Sequence, residues 1–256
     1  MNGSETAILA SAGDVVRLSL RRPPLNYLSL EMLSQIQSGL ESIGDAPAER
    51  ALVIDSGCAA FSAGLEMSQQ TREAGFLLLD QFHTVARTLL AFPRPTIALV
   101  GGVALGAGNE LAACCDFVLA STQATFGQPE IKVGTIPSLA PLLLPHRIGN
   151  QRTLQLILTG NPVDAGEAER IGLIHRAVPE DALRTALEEL LAGFRGSSMA
   201  VMEVALRAAR AARLRDLDNH LRDIQSLYLN DLMDLEDPSE GIRAFLERRA
   251  PEWKHR

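Results

Sequence analysis

The first hundred residues switch repeatedly between the two periods that separate strands from helices. Residues 14–20 (DVVRLSL) alternate apolar and polar positions and predict a strand, which Arg21-Arg22-Pro23-Pro24 breaks. From 29 to 43 the apolar residues Leu30, Leu33, Ile36, Leu40 and Ile43 return at helical spacing, and Ser29 stands where an N-cap belongs. Residues 51–55 read as a short apolar strand and 58–64 as a loop. A second helix, 75–91, stops at Phe92-Pro93-Arg94-Pro95. Residues 96–103 predict one buried strand, rich in β-branched positions. A glycine-rich turn (101–108), a helix (109–115) and a strand (117–120) follow.

This order implies crossover connections and a core of parallel strand pairs, an α/β fold. Past about residue 150 the strand pattern stops. Helices are expected at 150–160, 164–171, 180–194, 198–213 and 216–235, separated by Gly160-Asn161-Pro162, Val178-Pro179 and Gly196-Ser197. The division expected is an α/β core over 1–195 that holds the site, followed by a helical oligomerisation region over 196–256. Leu217, Leu221, Ile224, Leu227 and Leu232 form an apolar stripe that needs a covering surface, which a second subunit can supply.

Composition narrows the function classes. The 256 residues are 46% hydrophobic and 21% charged, enough to bury one sizeable core and unlike a disordered chain. The net charge of −7, with no block of Lys and Arg, argues against a nucleic-acid partner. Residues 1–13 lack the basic start and long apolar run of a signal peptide, and no uncharged apolar stretch approaches a membrane span, so a cytoplasmic protein with no membrane partner is expected. Three cysteines, two of them adjacent (Cys114, Cys115), offer neither a disulfide framework nor zinc-ligand spacing, and no metal is expected.

The chemistry concentrates where G-A-G-N-E-L-A-A-C-C-D (106–116) sets a glycine turn against a helix start. Unpaired N–H groups and the helix dipole at such a start favour a phosphate or an oxyanion. The spacing does not match the G-x-G-x-x-G of dinucleotide binders, and no acid closes the next strand. Two carboxylates lie nearby: Glu110 in the first helical turn and Glu130 behind a proline. Either alone reads as a structural acid.

Longer segments decide between these readings. G-G-V-A-L-G-A-G-N-E-L-A-A-C-C-D-F (101–117) and F-G-Q-P-E-I-K-V-G-T-I-P (126–137) resemble the two signature segments of the crotonase (enoyl-CoA hydratase/isomerase) family. F-S-A-G-L-E-M (61–67) resembles its first oxyanion loop. Segments 158–174 and 240–253 are similar to its later helices. The resemblance implies a crotonase-like core of repeated ββα units, a helical C-terminal trimerisation region, and homotrimers or dimers of trimers. It also implies an oxyanion hole built from the backbone N–H groups of Leu65 and Ala107, where the family usually has glycine at the second position. A backbone N–H survives that change. Fixed donors of this kind stabilise an enolate oxygen as it gains charge, and losing one costs about 3–4 kcal/mol.

By the same resemblance Glu110 and Glu130 are the catalytic pair of members that hydrate a double bond, one accepting a proton from water and the other supplying one to carbon. Having both favours hydration over isomerisation, which one acid can serve, and over a non-catalytic scaffold. The substrate implied is an acyl-CoA thioester, with no cofactor beyond the CoA it carries. Arg22, Leu25, Ala63, Gly106, Pro137, Leu139, Arg248 and Arg249 are the further substrate-binding candidates. Glu66, Lys132 and His146 are weaker ones, and His83 reads as packing. After Glu130, the stretch Pro137-Ser138-Leu139-Ala140-Pro141-Leu142-Leu143-Leu144-Pro145 replaces the usual glycine-rich run with bulkier residues. That stretch, with 227–233 and 240–256, most resembles the family's cyclohexa-1,5-diene-1-carbonyl-CoA hydratase branch. The branch implies water addition to a conjugated ring diene, giving 6-hydroxycyclohex-1-ene-1-carbonyl-CoA.

Overall fold

A computed structural model describes residues 6–44 and 49–256; the beginning of the segment weighed as a signal peptide lies outside them. The elements run β1 (Ala7–Ala12), β2 (Val15–Leu20), α1 (Leu30–Ile43), β3 (Ala51–Ser56), α2 (Arg72–Leu90), β4 (Thr96–Val100), β5 (Val103–Leu105), α3 (Ala107–Cys114), β6 (Phe117–Ser121) and β7 (Thr125–Gly127). They continue with α4 (Ala140–Leu143), α5 (Pro145–Thr159), β8 (Val163–Asp164), α6 (Ala165–Arg170), β9 (Arg176–Val178), α7 (Leu183–Arg195), α8 (Met199–Leu214), α9 (Leu217–Ser226) and α10 (Asp237–Leu246). A wide helical turn, Leu227–Leu232, joins α9 to α10.

The main sheet has six strands in the order β1-β2-β3-β4-β6-β9, parallel except for the β1–β2 hairpin. Its inner strands, β2, β3, β4 and β6, are buried on both faces. Leu52 and Ile54 of β3 face the larger core with α1, α2 and α3, while Ala51 and Val53 face a second core under Ala186, Leu187 and Leu191 of α7. Two covered faces explain why this strand reads as a continuous apolar run. The Ser29 cap forms as expected, its hydroxyl accepting from the Met32 N–H at 3.3 Å.

The structure departs from the sequence reading in four places. The stretch 96–103 is two strands in two sheets, because the chain turns sharply at Gly101-Gly102. A Cβ on Gly102 would sit 2.0 Å from the Ala59 carbonyl oxygen, so only glycine permits that approach. β5 then pairs with β7, and β7 with β8, in a small second sheet. Strands also persist beyond residue 150, as β8 and β9, and β1 precedes the first predicted strand. At two and three residues, β8 and β9 are too short to display a period. The predicted helix 216–235 breaks up after Ser226.

A buried ion pair helps to fasten the C-terminal helices to the core, with Leu217 and Leu221 packed in it. Arg210 of α8 is 5% exposed and meets Asp116, donating also to the Phe92 and Arg94 carbonyls at 2.5 and 3.1 Å. No helix among the described residues is long and apolar enough to cross a membrane.

Candidate active site

The site forms where two loops are stitched side by side. Ser62 N–H donates to the Val103 carbonyl at 3.1 Å and Leu105 N–H to the Ser62 carbonyl at 3.0 Å. Two glycines let them close. A Cβ on Gly108 would fall 2.2 Å from the Ser62 carbonyl oxygen, and one on Gly64, at φ +109°, would fall 3.3 Å from the Leu105 carbonyl oxygen and 3.6 Å from the Ala107 nitrogen. This contact sets Leu65 of the first loop beside Ala107, the first residue of α3. Ala107 N–H therefore has no partner within its helix, and both residues line one cavity of about 380 Å³. The neighbouring N–H of Glu66 is spent on the Leu28 carbonyl at 3.0 Å, which holds the Leu65 loop in extended register.

Glu110 lies one turn into α3 and is 1% exposed. One carboxylate oxygen accepts from the Leu139 and Ala140 N–H groups, each at 2.6 Å, at the start of α4. Burial pushes its pKa up to about 7, against the opposing pull of the Ala140, Leu139 and Ser138 N–H groups. Glu130 sits on a 3-10 turn, Pro129–Val133, and its carboxyl packs over Gly106. That glycine has φ +55°, and a Cβ there would lie 2.9 Å from Glu130 Oε1. Burial first, and the Glu110 charge second, hold Glu130 well above the usual carboxylate range. Both carboxyls of the cavity thus hold a proton to higher pH than a free carboxyl does, and Glu110, with its fixed donors, is the better holder of negative charge.

Glu130 has a support chain that the sequence reading missed. With the Gln128 amide nitrogen turned to Glu130, it donates to the two carboxyl oxygens at 3.0 and 3.2 Å. The Gln128 oxygen then accepts from Asn109 Nδ2 at 3.0 Å. Both amides are buried. Their positions beside the two acids in sequence were the available signal, but adjacency on a helix or loop does not reveal direction. Tyr228 and Phe245, from the C-terminal helical region, also line the cavity. Tyr228 is 2% exposed, and its hydroxyl donates to Gln70 Oε1 at 3.3 Å. Gln70 Nε2 donates in turn to the Leu65 carbonyl at 3.3 Å.

Of the other candidates, Leu25, Ala63, Gly106 and Pro137 line the cavity with Leu65, Ala107, Glu110 and Glu130. Leu139 does not. Its side chain points into the core, and its contribution is the N–H on Glu110. Arg22 lies off the cavity wall, paired with Glu66 at 2.8 Å and donating to the Tyr27 carbonyl at 2.9 Å. Arg249 is paired with Glu240 and Glu247, which hold its guanidinium charged. Arg248 is exposed and outside the cavity, at φ 56°. Glu66 serves Arg22 and is not a cavity acid. Lys132 lines the cavity while donating to Asn161 Oδ1 at 2.8 Å. His146 is exposed. His83 is 1% exposed with burial lowering its pKa to about 4, so it packs in its neutral form. Among the described residues no cluster of three His, Cys, Asp or Glu side chains is placed to hold a metal ion.

Comparison with known proteins points the same way as this geometry. The family model described as enoyl-CoA hydratase/isomerase matches residues 11–256. Cyclohexa-1,5-dienecarbonyl-CoA hydratase of Thauera aromatica is 34% identical over 246 residues, covering 95% of this chain and 94% of the relative. A probable enoyl-CoA hydratase of Mycobacterium bovis is 36% identical over 256 residues, covering 98% and 99%. The crystal structure of an enoyl-CoA hydratase from Mycobacterium avium superposes with a TM-score of 0.87 at 26% identity, covering 98% of this chain and all of that one.

Proposed function

The chain belongs to the enoyl-CoA hydratase/isomerase family, with the crotonase fold and the hydro-lyase character of its hydratases, and on that premise we propose that it hydrates a conjugated cyclic acyl-CoA. The proposed substrate is cyclohexa-1,5-diene-1-carbonyl-CoA and the product 6-hydroxycyclohex-1-ene-1-carbonyl-CoA. The observation that carries the proposal is the pair of acids, Glu110 and Glu130, lining one cavity with Leu65 and Ala107, both with pKa values raised by burial. In this reading the thioester oxygen lies between the two N–H groups, whose fixed dipoles in a water-poor site stabilise the enolate. Glu110, steadied as an anion by its N–H donors, takes a proton from water. The resulting hydroxide attacks the β carbon, and the conjugated enolate takes a proton at its far end. Glu130, kept protonated by burial and by Glu110, is the donor, and the next water restores both groups.

The shape and lining of the cavity support a compact ring. Buried Met67, Gln70, Leu79 and Tyr228 are part of its lining, and its volume is at the small end for ligand sites. The name of the Thauera aromatica relative supports the same substrate. The CoA of the substrate is the only coenzyme proposed, and its nucleotide end is assigned to the surface near Arg22, Arg248 and Arg249. Assembly as a trimer or a pair of trimers in the cytoplasm is also proposed, with exposed Val201 and Val204 of α8 as apolar surface to be covered.

The test is hydration of cyclohexa-1,5-diene-1-carbonyl-CoA beside crotonyl-CoA by the wild type, Glu110→Gln and Glu130→Gln. Preference for the ring, abolished in both variants, is expected. Preference for crotonyl-CoA discards the ring substrate and keeps the hydratase. Full activity in either variant removes that carboxyl from the mechanism.

A further inference from the structure

Among the polar groups that the chemistry above leaves unused, one on the cavity wall is a buried hydroxyl. Ser138 is 3% exposed and lines the cavity, and its Oγ finds no hydrogen-bond partner among the described residues. A buried hydroxyl left unpaired costs about 1–3 kcal/mol. Its backbone N–H, with those of Leu139 and Ala140, acts on the Glu110 carboxylate. Every residue type except proline supplies that N–H, so holding Glu110 does not require a hydroxyl. Glycine or alanine at 138 would serve the Glu110 anchor and avoid the cost. Of the lining residues just before it, Ile136 and Pro137 have no polar side-chain atom to satisfy it, and the Thr135 hydroxyl donates to the Glu130 carbonyl at 3.4 Å. Ser138 lines the cavity and its N–H acts on Glu110, so its unpaired hydroxyl, turned about χ1 toward the cavity, matches a ligand oxygen.

We propose that Ser138 Oγ recognises the oxygen added to the β carbon. One O–H of the reacting water donates to Glu110 and the other to Ser138 Oγ, which turns a lone pair of the water toward carbon. The proton leaves to Glu110, the C–O bond forms, and the product hydroxyl keeps its bond to Ser138 Oγ. Ser138 gains and loses nothing. It is thus a specificity contact for β-hydroxyacyl thioesters, and the inference rests on the hydratase reading given above.

The test compares the affinities of 3-hydroxybutyryl-CoA, which bears that oxygen, and butyryl-CoA, which lacks it, in the wild type, Ser138→Ala and Ser138→Gly. The preference for the hydroxy ester should fall about threefold to tenfold in both variants, the worth of one hydrogen bond, with butyryl-CoA affinity unchanged. A merely structural role would weaken both esters alike. An unchanged preference, in a wild type that hydrates crotonyl-CoA or the ring diene, overturns the Ser138 assignment and leaves the hydratase standing. A wild type that hydrates neither ester, and binds the two probes equally, overturns both.

Discussion

Replacing Glu110 by Gln should stabilise the protein at pH 8 while abolishing its chemistry. Folding moves this carboxyl from water, where it titrates near 4.5, into a site where burial raises the value to about 7. Between those two values the folded chain binds more protons than the unfolded chain, so stability declines as pH rises through that window and levels off above it. The gap corresponds to roughly 3 kcal/mol by pH 8. A glutamine is neutral throughout, and its oxygen still accepts from the Leu139 and Ala140 N–H groups. Its amide nitrogen occupies the position that faces the cavity. Urea unfolding at pH 5 and pH 8 separates the contributions. The variant should match the wild type near pH 5 and exceed it by about 1–3 kcal/mol at pH 8, after allowance for one imperfect hydrogen bond. Its hydration rate should fall about 10²–10⁴-fold. Equal destabilisation at both pH values would refute the reasoning, because it would mean that the buried charge costs nothing and that Glu110 is not held ready to accept a proton.

Two other perturbations probe the frame around the pair. Gly106→Ala adds a Cβ 2.9 Å from Glu130 Oε1 at a φ of +55°; steady-state kinetics should show a loss of about 10²-fold with the fold intact by circular dichroism, since small displacements of reacting groups have effects of that size. Arg210→Ala strips Asp116 of this ion pair and leaves it the Thr96 N–H and hydroxyl donors, and thermal or urea unfolding should show a loss of about 3 kcal/mol, since hydrogen bonds alone then hold the buried charge.

Legibility in the sequence followed length and contiguity. The helix over 30–43 announced itself through its cap and its periodic leucines and isoleucines, and β3 through an apolar run that two covered faces require. β9, only three residues long, has no period to read, although it closes the main sheet beside β6. Glu110, Glu130, Leu65 and Ala107, which line one cavity, could be singled out because they fall inside contiguous segments that resemble a known family. Gln128, Asn109 and Tyr228 were missed for a different reason. Their roles depend on which way a side chain points and on a contact between Gln70 and Tyr228, 158 positions apart. Leu139 shows the opposite error, since its place in the sequence suggested a side-chain contact and the structure uses its N–H. Arg22 and Arg249 were attractive as lone cations, but each has an acidic partner in the fold that spacing alone does not disclose.

The central claim is that Glu110 and Glu130 together add water to a double bond. The most direct measurement is incubation of the wild type with cyclohexa-1,5-diene-1-carbonyl-CoA and with crotonyl-CoA in water enriched in heavy oxygen, followed by mass analysis of the products. The account predicts one solvent oxygen in the product, with the ring ester turned over faster, and no incorporation with Glu110→Gln or Glu130→Gln. A rearranged ester without solvent oxygen would contradict it, because shifting a double bond needs proton transfer alone.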